Sequence, residues 1–496
     1  MTEKHCYDAD SLHRSGVLAY QKSDFVTALN LVLEAIKLDS NVPEYYNTFG
    51  VIMSEAGNDQ GAIKSYRKAI ELNSDYASAY CNLGNCLQKQ SHYEESIEYY
   101  QQAINLTPDY ADAYNGLAVG FYRLGNYNEA MKNCRKAIEL KADHAQAYNT
   151  LAAVLEMLQR YDEAIECYDK TVEYAPDYAE AYCSRGILHL RHGRFAKGWD
   201  DYQWRLKTEK VKGTLLYGKP FWQGEDFQGK TLLVQSEQGF GDSMQFVRYL
   251  PMVKARGGKV VLAEKPELID LLGNLEGVDD LVDIRQLADR GVGYDLYVPL
   301  LNLPAIFNTD MDTIPIRLPY LFANESKVDH WCKAIGEDGF KVGIVWAGDP
   351  IHTNDHNRSC RLKDFMSLAK LKNVNLFSLQ KGSCVDQIKN WPSDIEPIED
   401  IGQGFNDFSD TAAAIENMDL IISVDTSVIH LAGAMGKTAW LIIPYESDWR
   451  WMLDRQDSPW YPTVRIFRQK QHSGWEELFD RVADSLEDLI GSTTVI

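Results

Sequence analysis

Two consecutive segments of 34 residues set the fold of the first part of the chain: residues 77–110 are ASAYCNLGNCLQKQSHYEESIEYYQQAINLTPDY, and residues 111–144 are ADAYNGLAVGFYRLGNYNEAMKNCRKAIELKADH. Small residues recur at the same 34-residue interval along a longer stretch, at Gly16, Gly50, Gly84, Ala118, Ala152 and Gly186. A second small position follows at Ala28, Ala62, Ser96, Ala130, Ala164 and Gly198, and a bulky residue follows that, most often Tyr. Small residues on one helix accept bulky residues from its neighbour, so the pattern predicts stacked helix pairs over residues 9–205.

This period resembles the tetratricopeptide repeat, with five complete repeats and a sixth whose second helix diverges at Gly198-Trp-Asp-Asp-Tyr-Gln-Trp-Arg205. A divergent last repeat is expected where an array caps itself or docks on another domain. The first helix of each repeat lines an inner groove, where Asn47, Asn115 and Asn149 share one repeat position and Asn82 is displaced by one residue. A row of amides offers donors and acceptors to a peptide backbone, so these four residues are candidates for binding an acceptor protein. The alternative is that they are polar residues tolerated on a solvated face.

Composition narrows the class of partner. The chain has 496 residues, enough for about three domains, and a net charge of −22 from 50 basic and 72 acidic side chains. Because nucleic-acid binding depends on basic patches, this balance argues against a nucleic-acid partner, although a single nucleotide remains possible. Nine cysteines without a C-x-x-C pair favour free thiols in a reducing compartment. With no signal-peptide pattern and no long apolar run, the sequence predicts a cytoplasmic protein without stable membrane insertion.

After about residue 215, short apolar runs alternate with helical stretches, which predicts parallel sheets of the doubly wound type. The predicted strands are Thr231–Gln235, Lys259–Ala263, Asp295–Pro299, Val342–Trp346, Asn375–Leu379, Leu420–Val424, Thr438–Ile443 and Val464–Phe467. We expect a connector over residues 206–228 and two half-domains, 229–335 and 336–490, divided near the polar stretch 324–337. Ligands of paired sheets of this kind bind at the carboxyl ends of the strands.

Three motifs follow predicted strands. The first, Ser236-Glu-Gln-Gly-Phe-Gly241-Asp242-Ser243, has glycines for a tight turn and an aspartate that serves either as a helix cap or as a functional carboxylate. The second runs from Ala347-Gly348 to Arg358-Ser359, where an arginine is suited to clamping a phosphate. His352 and His356 of this second motif lie in a loop, not on a helix of the H-E-x-x-H type, so a metal site is not predicted.

The third motif, Asp425-Thr426-Ser427-Val-Ile-His430, lies where a strand turns into a helix, and its hydroxyls and amides are suited to a diphosphate or ribose. His430 follows one turn later, as either a site residue or a satisfied core histidine. Gln380, at the end of the strand predicted over residues 375–379, is a candidate contact for the base or ribose of a nucleotide.

Together, the motifs of residues 229–490 resemble GT-B glycosyltransferases of the heptosyltransferase-like group. Gly241-Asp242 followed by Leu250-Pro251 matches the first family motif, and Asp425-Thr-Ser-Val-Ile-His430-Leu-Ala-Gly-Ala434 matches D-T-G-x-x-H-L-x-x-A. Asp448-Trp-Arg-Trp451 and Asp457-Ser-Pro-Trp-Tyr-Pro462 look like the version fused to tetratricopeptide arrays in bacteria. The order of array and α/β module is similar to that of O-GlcNAc transferase and flagellin-modifying enzymes. This sequence has Ser427 where the family has Gly, and Arg358 where it has Lys.

The resemblance implies an inverting, metal-independent transfer of a sugar from a nucleotide-sugar donor, with no further cofactor. It assigns Asp242 as the catalytic base, which takes the proton of the acceptor hydroxyl. It places Gly241, Gly348, Arg358, Ser359, Gln380, Asp425, Thr426, Ser427 and His430 at the donor site. We expect an α-helical array followed by two Rossmann-like half-domains, acting as a glycosyltransferase on Ser or Thr of a protein held by the array. The alternatives are transfer to a glycan or lipid, with the repeats used for assembly, and a non-catalytic scaffold with a decayed GT-B module.

Overall fold

The computed structural model describes residues 8–212, 218–287, 291–352, 354–470 and 474–493. The chain divides into two compact units, residues 1–184 and 185–496. The elements described in the first unit are helices, and the second unit contains two parallel sheets. This confirms the predicted fold class, a helical tetratricopeptide superhelix followed by an α/β region.

Twelve helices form the repeats: α1 Ala9–Gln21, α2 Phe25–Leu38, α3 Pro43–Glu55, α4 Asp59–Leu72, α5 Ala77–Lys89, α6 Tyr93–Leu106, α7 Ala111–Arg123, α8 Tyr127–Leu140, α9 Ala145–Met157, α10 Tyr161–Tyr174, α11 Ala179–Arg191 and α12 Phe195–Tyr202. Two of the small repeat positions, Gly50 and Gly84, receive tyrosine rings, whereas Gly16 receives Val32. A Cβ added to Gly50 would lie 2.6 Å from Cε1 of Tyr66, and one added to Gly116 would lie 2.4 Å from Cε1 of Tyr100. Tyr100 also lies against Gly84 and is fully buried, so two consecutive repeats close around one ring.

The turn inside each repeat contains a residue with positive φ. Gly57, Gly125 and Gly193 take this conformation at φ of 71–80°, where glycine pays no steric cost. Ser91 and Gln159 occupy the equivalent position with φ of 63° and 57°, which is strained for residues with a Cβ. Glycine and non-glycine residues therefore alternate at this turn from one repeat to the next.

Within the described residues, ten strands form the two sheets: β1 Thr231–Gln235, β2 Lys259–Glu264, β3 Asp280–Asp283, β4 Leu296–Pro299, β5 Phe340–Val345, β6 Val374–Ser378, β7 Glu399–Asp400, β8 Leu420–Val424, β9 Ala439–Ile443 and β10 Val464–Arg468. The first sheet has the order β3-β2-β1-β4 and the second the order β10-β9-β8-β5-β6-β7, with every pairing parallel. All eight predicted strands are present within two residues. The sequence did not predict the short, acidic edge strands β3 and β7.

The helices of the second unit that follow α12 are α13 Glu209–Lys212, α14 Phe240–Phe246, α15 Leu250–Lys254, α16 Pro266–Leu272, α17 Leu303–Ile306, α18 Glu325–Ile335, α19 Asp355–Arg358, α20 Met366–Ala369, α21 Phe408–Glu416, α22 Ser427–Ala434 and α23 Glu476–Thr493. The stretch predicted to divide the half-domains is the helix α18, whose Trp331 packs on Phe405 with ring centroids 4.9 Å apart. In the predicted connector 206–228, residues 213–217 lie outside the described residues.

The divergent second helix of the sixth repeat, α12, belongs to the compact α/β unit. Trp199 is 3% exposed, donates from Nε1 to the carbonyl of Thr309 at 2.8 Å, and packs edge-on against Trp449 with centroids 5.4 Å apart. Just beyond it, the buried Arg205 pairs with Glu237, in the loop that leads to Asp242. The sequence predicts an array up to residue 205, whereas the division between the two compact units falls at residues 184 and 185.

Candidate functional site

A cavity of about 470 Å³ opens at the carboxyl end of the second sheet. Its walls come from the segments after β5, β6 and β8, together with residues around the start of α21 and two residues of the first half-domain, Phe240 and Glu267. Strands β5 and β8 are neighbours from which the chain proceeds in opposite directions, to β6 and to β9. This is the switch point at which open α/β sheets bind their ligands. The geometry places Gly348, Gln380, Thr426 and Ser427 on the cavity wall.

The N-terminus of α22 faces this cavity. Thr426 is the N-cap residue and makes no side-chain capping bond, while Ser427 and Val428 of the first turn line the cavity. The hydroxyl of Thr426 instead lies 3.1 Å from the hydroxyl of Ser423. Backbone N–H groups of the first turn, together with the helix dipole, therefore favour an anionic group at this wall.

The segment after β5 brings a cation close to this wall, although Arg358 and Ser359 are not among the residues that line the cavity. The guanidinium of Arg358 donates from Nη1 to the carbonyl of Asp425 at 3.2 Å and from Nε to Oδ1 of Asp355 at 3.1 Å. Ser359 accepts the N–H of Gly348 at 2.9 Å and donates to Asp355 at 2.9 Å. A Cβ on Gly348 would lie 2.3 Å from Nη2 of Arg358, so only glycine allows this approach. The arrangement joins the ends of β5 and β8 through one charged side chain.

Gln380 orders the loop after β5. Its Oε1 accepts the N–H groups of Trp346 and Ala347 at 3.1 and 3.0 Å, and its Nε2 donates to the carbonyls of Ala347 and Lys381 at 2.9 Å each. These four bonds employ the whole carboxamide, which is 3% exposed. In this arrangement Gln380 shapes the cavity wall, and Lys381 beside it carries a positive charge to the wall.

Asp242 occupies the first turn of α14, in the first half-domain. Its Oδ2 accepts the N–H of Gly239 at 2.8 Å, so the residue does cap the helix, and its Oδ1 contacts the guanidinium of Arg450. The preceding Gly241 lies against His430, because a Cβ there would be 2.6 Å from Cδ2 of the imidazole. The structure thus brings the first and third sequence motifs into contact.

Burial sets the charge of the groups around His430. Burial, reinforced by Arg450, lowers the pKa of His430 to about 3, so the imidazole is neutral at pH 7. Its Nδ1 lies 3.0 Å from the hydroxyl of Tyr461. Burial and the nearby carboxylate of Asp448 raise the pKa of Asp425. Burial also opposes ionisation of Asp448, but Arg450 outweighs it and holds the pKa of Asp448 below its usual value.

The four asparagines of the array lie on the first helices of consecutive repeats: Asn47 on α3, Asn82 on α5, Asn115 on α7 and Asn149 on α9. All four are partly exposed. Nδ2 of Asn82 donates to Oδ1 of Asn47 at 3.0 Å, so one donor of Asn82 and the acceptor oxygen of Asn47 are already engaged. Oδ1 of Asn115 has no hydrogen-bond partner within the described part of the chain.

Sequence reasoning did not select three residues of this site: Arg450, Lys381 and Asp448. Arg450 and Asp448 lie in the quoted stretch Asp448-Trp-Arg-Trp451, and only the fold brings Arg450 to Asp242, 208 positions away. Lys381 directly follows Gln380 at a strand end, which is a usable signal because a cation there faces the ligand.

Comparison with known proteins agrees with the repeat array. Profiles described as "TPR repeat" match residues 50–91 and 157–193, and one described as "Tetratricopeptide repeat" matches residues 75–143. The chain therefore carries tetratricopeptide repeats, which mediate contacts between proteins. The protein FlbA of Caulobacter vibrioides is 26% identical over 331 residues, which are 62% of this chain and 55% of that protein. The chain thus spans little more than half the length of this curated relative.

Two solved structures each match about a third of this chain. MamA is 28% identical, with 33% of this chain and 96% of MamA covered at a TM-score of 0.30. A tetratricopeptide-repeat protein of Thermus thermophilus is 20% identical, with 37% of this chain and 99% of that protein covered at a TM-score of 0.33. Across the five described ranges of residues, no helix combines the length and the apolar character needed to cross a membrane.

Proposed function

We propose that the chain is a GT-B glycosyltransferase that moves a sugar from a nucleotide-sugar donor to Ser or Thr hydroxyls of a protein. The observation that carries the proposal is the contact of Gly241 with His430. It sets the candidate base Asp242 next to the helix whose N-terminus faces the cavity. Transfer of a sugar from a nucleoside diphosphate requires a carboxylate that activates the nucleophile and a wall that binds the anionic leaving group. The two half-domains would supply one each.

Residues that line the cavity, and Arg358 and His430 beside it, have parts in this reaction. Arg358, Lys381 and the first turn of α22 supply positive potential for the diphosphate, which matters because the chain as a whole has a charge of −22. The neutral His430 contributes a hydrogen-bonding group without adding a charge. Phe240 and Phe408 supply apolar surface from opposite half-domains, with their ring centroids 4.9 Å apart.

The chemical step is an inverting displacement. The acceptor oxygen attacks the anomeric carbon, and the bond from that carbon to the diphosphate breaks with its electron pair on the leaving diphosphate. Asp242 takes the proton of the attacking hydroxyl, and Arg358 together with α22 stabilises the charge on the leaving group. The proposed reaction needs neither a metal nor another cofactor.

The repeat array is the proposed holder of the acceptor protein. Asn115 and Asn149 lie on the first helices of neighbouring repeats, and both side chains are partly exposed. Replacing both by Ala should weaken acceptor binding. Asn105→Ala, at an exposed position of α6, is the matched control and should leave it unchanged.

Intact-protein mass spectrometry tests the proposed function. Lysate proteins incubated with the chain and a panel of nucleotide sugars should show a mass increase of one glycosyl unit, and Asp242→Asn should abolish it. Sugar transfer to a glycan or lipid without a protein mass increase would replace the proposed acceptor class. Absence of any transfer, together with absence of nucleotide binding, would leave a non-catalytic scaffold.

A further inference from the structure

The candidate base is not an isolated carboxylate. Both oxygens of Asp242 have a partner, the N–H of Gly239 on one side and the guanidinium of Arg450 on the other. The side chain is only 16% exposed, so these two partners fix its orientation. Proton abstraction by Asp242 would therefore take place while its carboxylate is paired with Arg450.

Arg450 is itself held by both half-domains. Its Nε donates to Oε1 of Gln245 at 2.7 Å, one turn after Asp242 on α14. Its Nη1 donates to Oδ1 of Asp448 at 2.9 Å, and its guanidinium lies 4.5 Å from the ring centroid of Trp449. The side chain is 9% exposed, so few other conformations are open to it. One arginine therefore fastens the base-bearing helix to the turn after β9.

The charges around Arg450 change during the proposed reaction. In the resting site one guanidinium serves two carboxylates, Asp242 and Asp448. When Asp242 accepts the proton of the acceptor hydroxyl, it becomes neutral and loses its ionic attraction for Arg450. Asp448 keeps its charge, because Arg450 lowers the pKa of that carboxyl. The arginine thus retains one ionic partner throughout and is not left as a buried, unpaired charge.

We propose that Arg450 is the positioning residue for Asp242, and that Asp448 holds Arg450 in place while Asp242 carries the proton. This role rests on the proposed function, because it concerns the same proton transfer. It differs from donor binding: the atoms that Arg450 contacts belong to the base, to Gln245 and to Asp448.

Arg450→Lys in the full chain tests this role, because lysine keeps the charge but cannot contact Asp242, Gln245 and Asp448 together. The two readouts are turnover, as nucleoside diphosphate released from the sugar donor that the wild type uses, and the Kd of that nucleoside diphosphate by calorimetry. We expect turnover to fall by about 100-fold, since small misplacement of a catalytic group has this effect. The Kd should stay within about twofold, because the binding wall is not altered.

Arg248→Lys is the matched control. Arg248 is a buried arginine of the half-domain that carries Asp242; it contacts the backbone carbonyls of Gln245 and Trp460 and the hydroxyl of Tyr320, but neither carboxylate. It should lower thermal stability and leave turnover per folded molecule unchanged. If Arg450→Lys behaves like this control, Arg450 is structural and the proposal is wrong. If the Kd rises as much as turnover falls, Arg450 is a donor ligand and the proposal is also wrong.

Two further variants keep the proposal testable if Arg450→Lys does not fold. Gln245→Leu removes the acceptor of Nε, and Asp448→Asn removes the second ionic partner, while both keep the arginine. Each should lower turnover with little change in the Kd, and wild-type turnover in both would overturn the proposal. A wild-type chain that releases no nucleoside diphosphate from any donor would overturn the proposed function and this role with it. Normal wild-type turnover with unaffected variants would overturn this role alone.

Discussion

Gly348→Ala tests whether the position of Arg358 determines nucleotide binding. The added Cβ would lie 2.3 Å from Nη2 of Arg358 and 2.5 Å from Oδ1 of Asp355. Contacts of this kind are normally about 3.5 Å, so the guanidinium has to move by about 1 Å. Movement on this scale breaks the 3.2 Å bond to the carbonyl of Asp425 and shifts the charge away from its place beside the cavity-lining Gly348.

The size of the effect follows from the bonds at risk. A hydrogen bond from a charged group is worth about 1.5–3 kcal/mol, so losing the contact of Arg358 with a diphosphate should raise its Kd by about 10- to 150-fold. The fold should suffer less, because the clash involves the ends of side chains and not the backbone. We expect the free energy of unfolding to fall by about 1 kcal/mol.

Calorimetric titration with the nucleoside diphosphate that binds the wild type measures this change. Gly293→Ala is the control, because a Cβ at Gly293 meets no atom within 4 Å. The control should bind as the wild type does. If Gly348→Ala also binds within twofold of the wild type, Arg358 does not contact the diphosphate from this position.

Three other perturbations test neighbouring parts of the structure. Trp199→Ala should lower the free energy of unfolding by about 3–5 kcal/mol, because it leaves a cavity at a buried site and removes the hydrogen-bond donor to the carbonyl of Thr309. Hydrogen exchange should then accelerate in the α/β unit. Acceleration confined to residues 9–184 would contradict our assignment of α12 to that unit. Gly241→Ala should abolish turnover, since its Cβ would collide with His430, and an active variant would refute the contact. His430→Gln tests linkage. Burial lowers the pKa of His430 from 6.5 to about 3 in the folded chain, so the unfolded chain binds more protons than the folded chain below pH 6.5. The free energy of unfolding is therefore unaffected by this group above pH 6.5 and decreases as the pH falls below that value. The wild type should therefore lose about 2 kcal/mol relative to the variant by pH 5 in urea unfolding, whereas parallel curves would contradict neutral burial.

The sequence predicted the array and the main strands because their signals are local. A small residue every 34 positions specifies how one helix pair contacts the next, and the fully buried Tyr100 shows that contact directly. The central strands are continuous apolar runs, which predict burial on both faces. Edge strand β3 carries Asp at partly buried positions and β7 carries Glu and Asp at exposed positions, so neither has such a run.

The candidate site was predictable only in part. Strand-end motifs gave Asp242, Arg358 and Thr426, because parallel sheets gather their ligands at one edge. Gln380 illustrates the limit: its place at a strand end was predicted, but its four backbone bonds depend on the path of a neighbouring loop. The pairing of Asp242 with Arg450 joins the two half-domains, and no local pattern specifies a contact over such a separation.

The domain limits show the same distinction. The period of 34 extends through α12, so sequence alone assigns this helix to the array. Burial assigns it to the compact α/β unit, because Trp199 packs on Trp449 and Arg205 pairs with Glu237. A repeat pattern indicates how the helices of one pair pack on each other. Tertiary contacts determine in which hydrophobic core a helix is buried.

Calorimetric titration of the full chain, and of its Arg358→Ala variant, with a panel of nucleoside diphosphates tests the proposed donor site directly. We expect at least one nucleotide to bind the wild type with a Kd below about 1 mM, and Arg358→Ala to weaken that binding at least tenfold. Failure of every nucleotide in the panel to bind, or equal binding by both proteins, would contradict a donor site at the ends of β5 and β8.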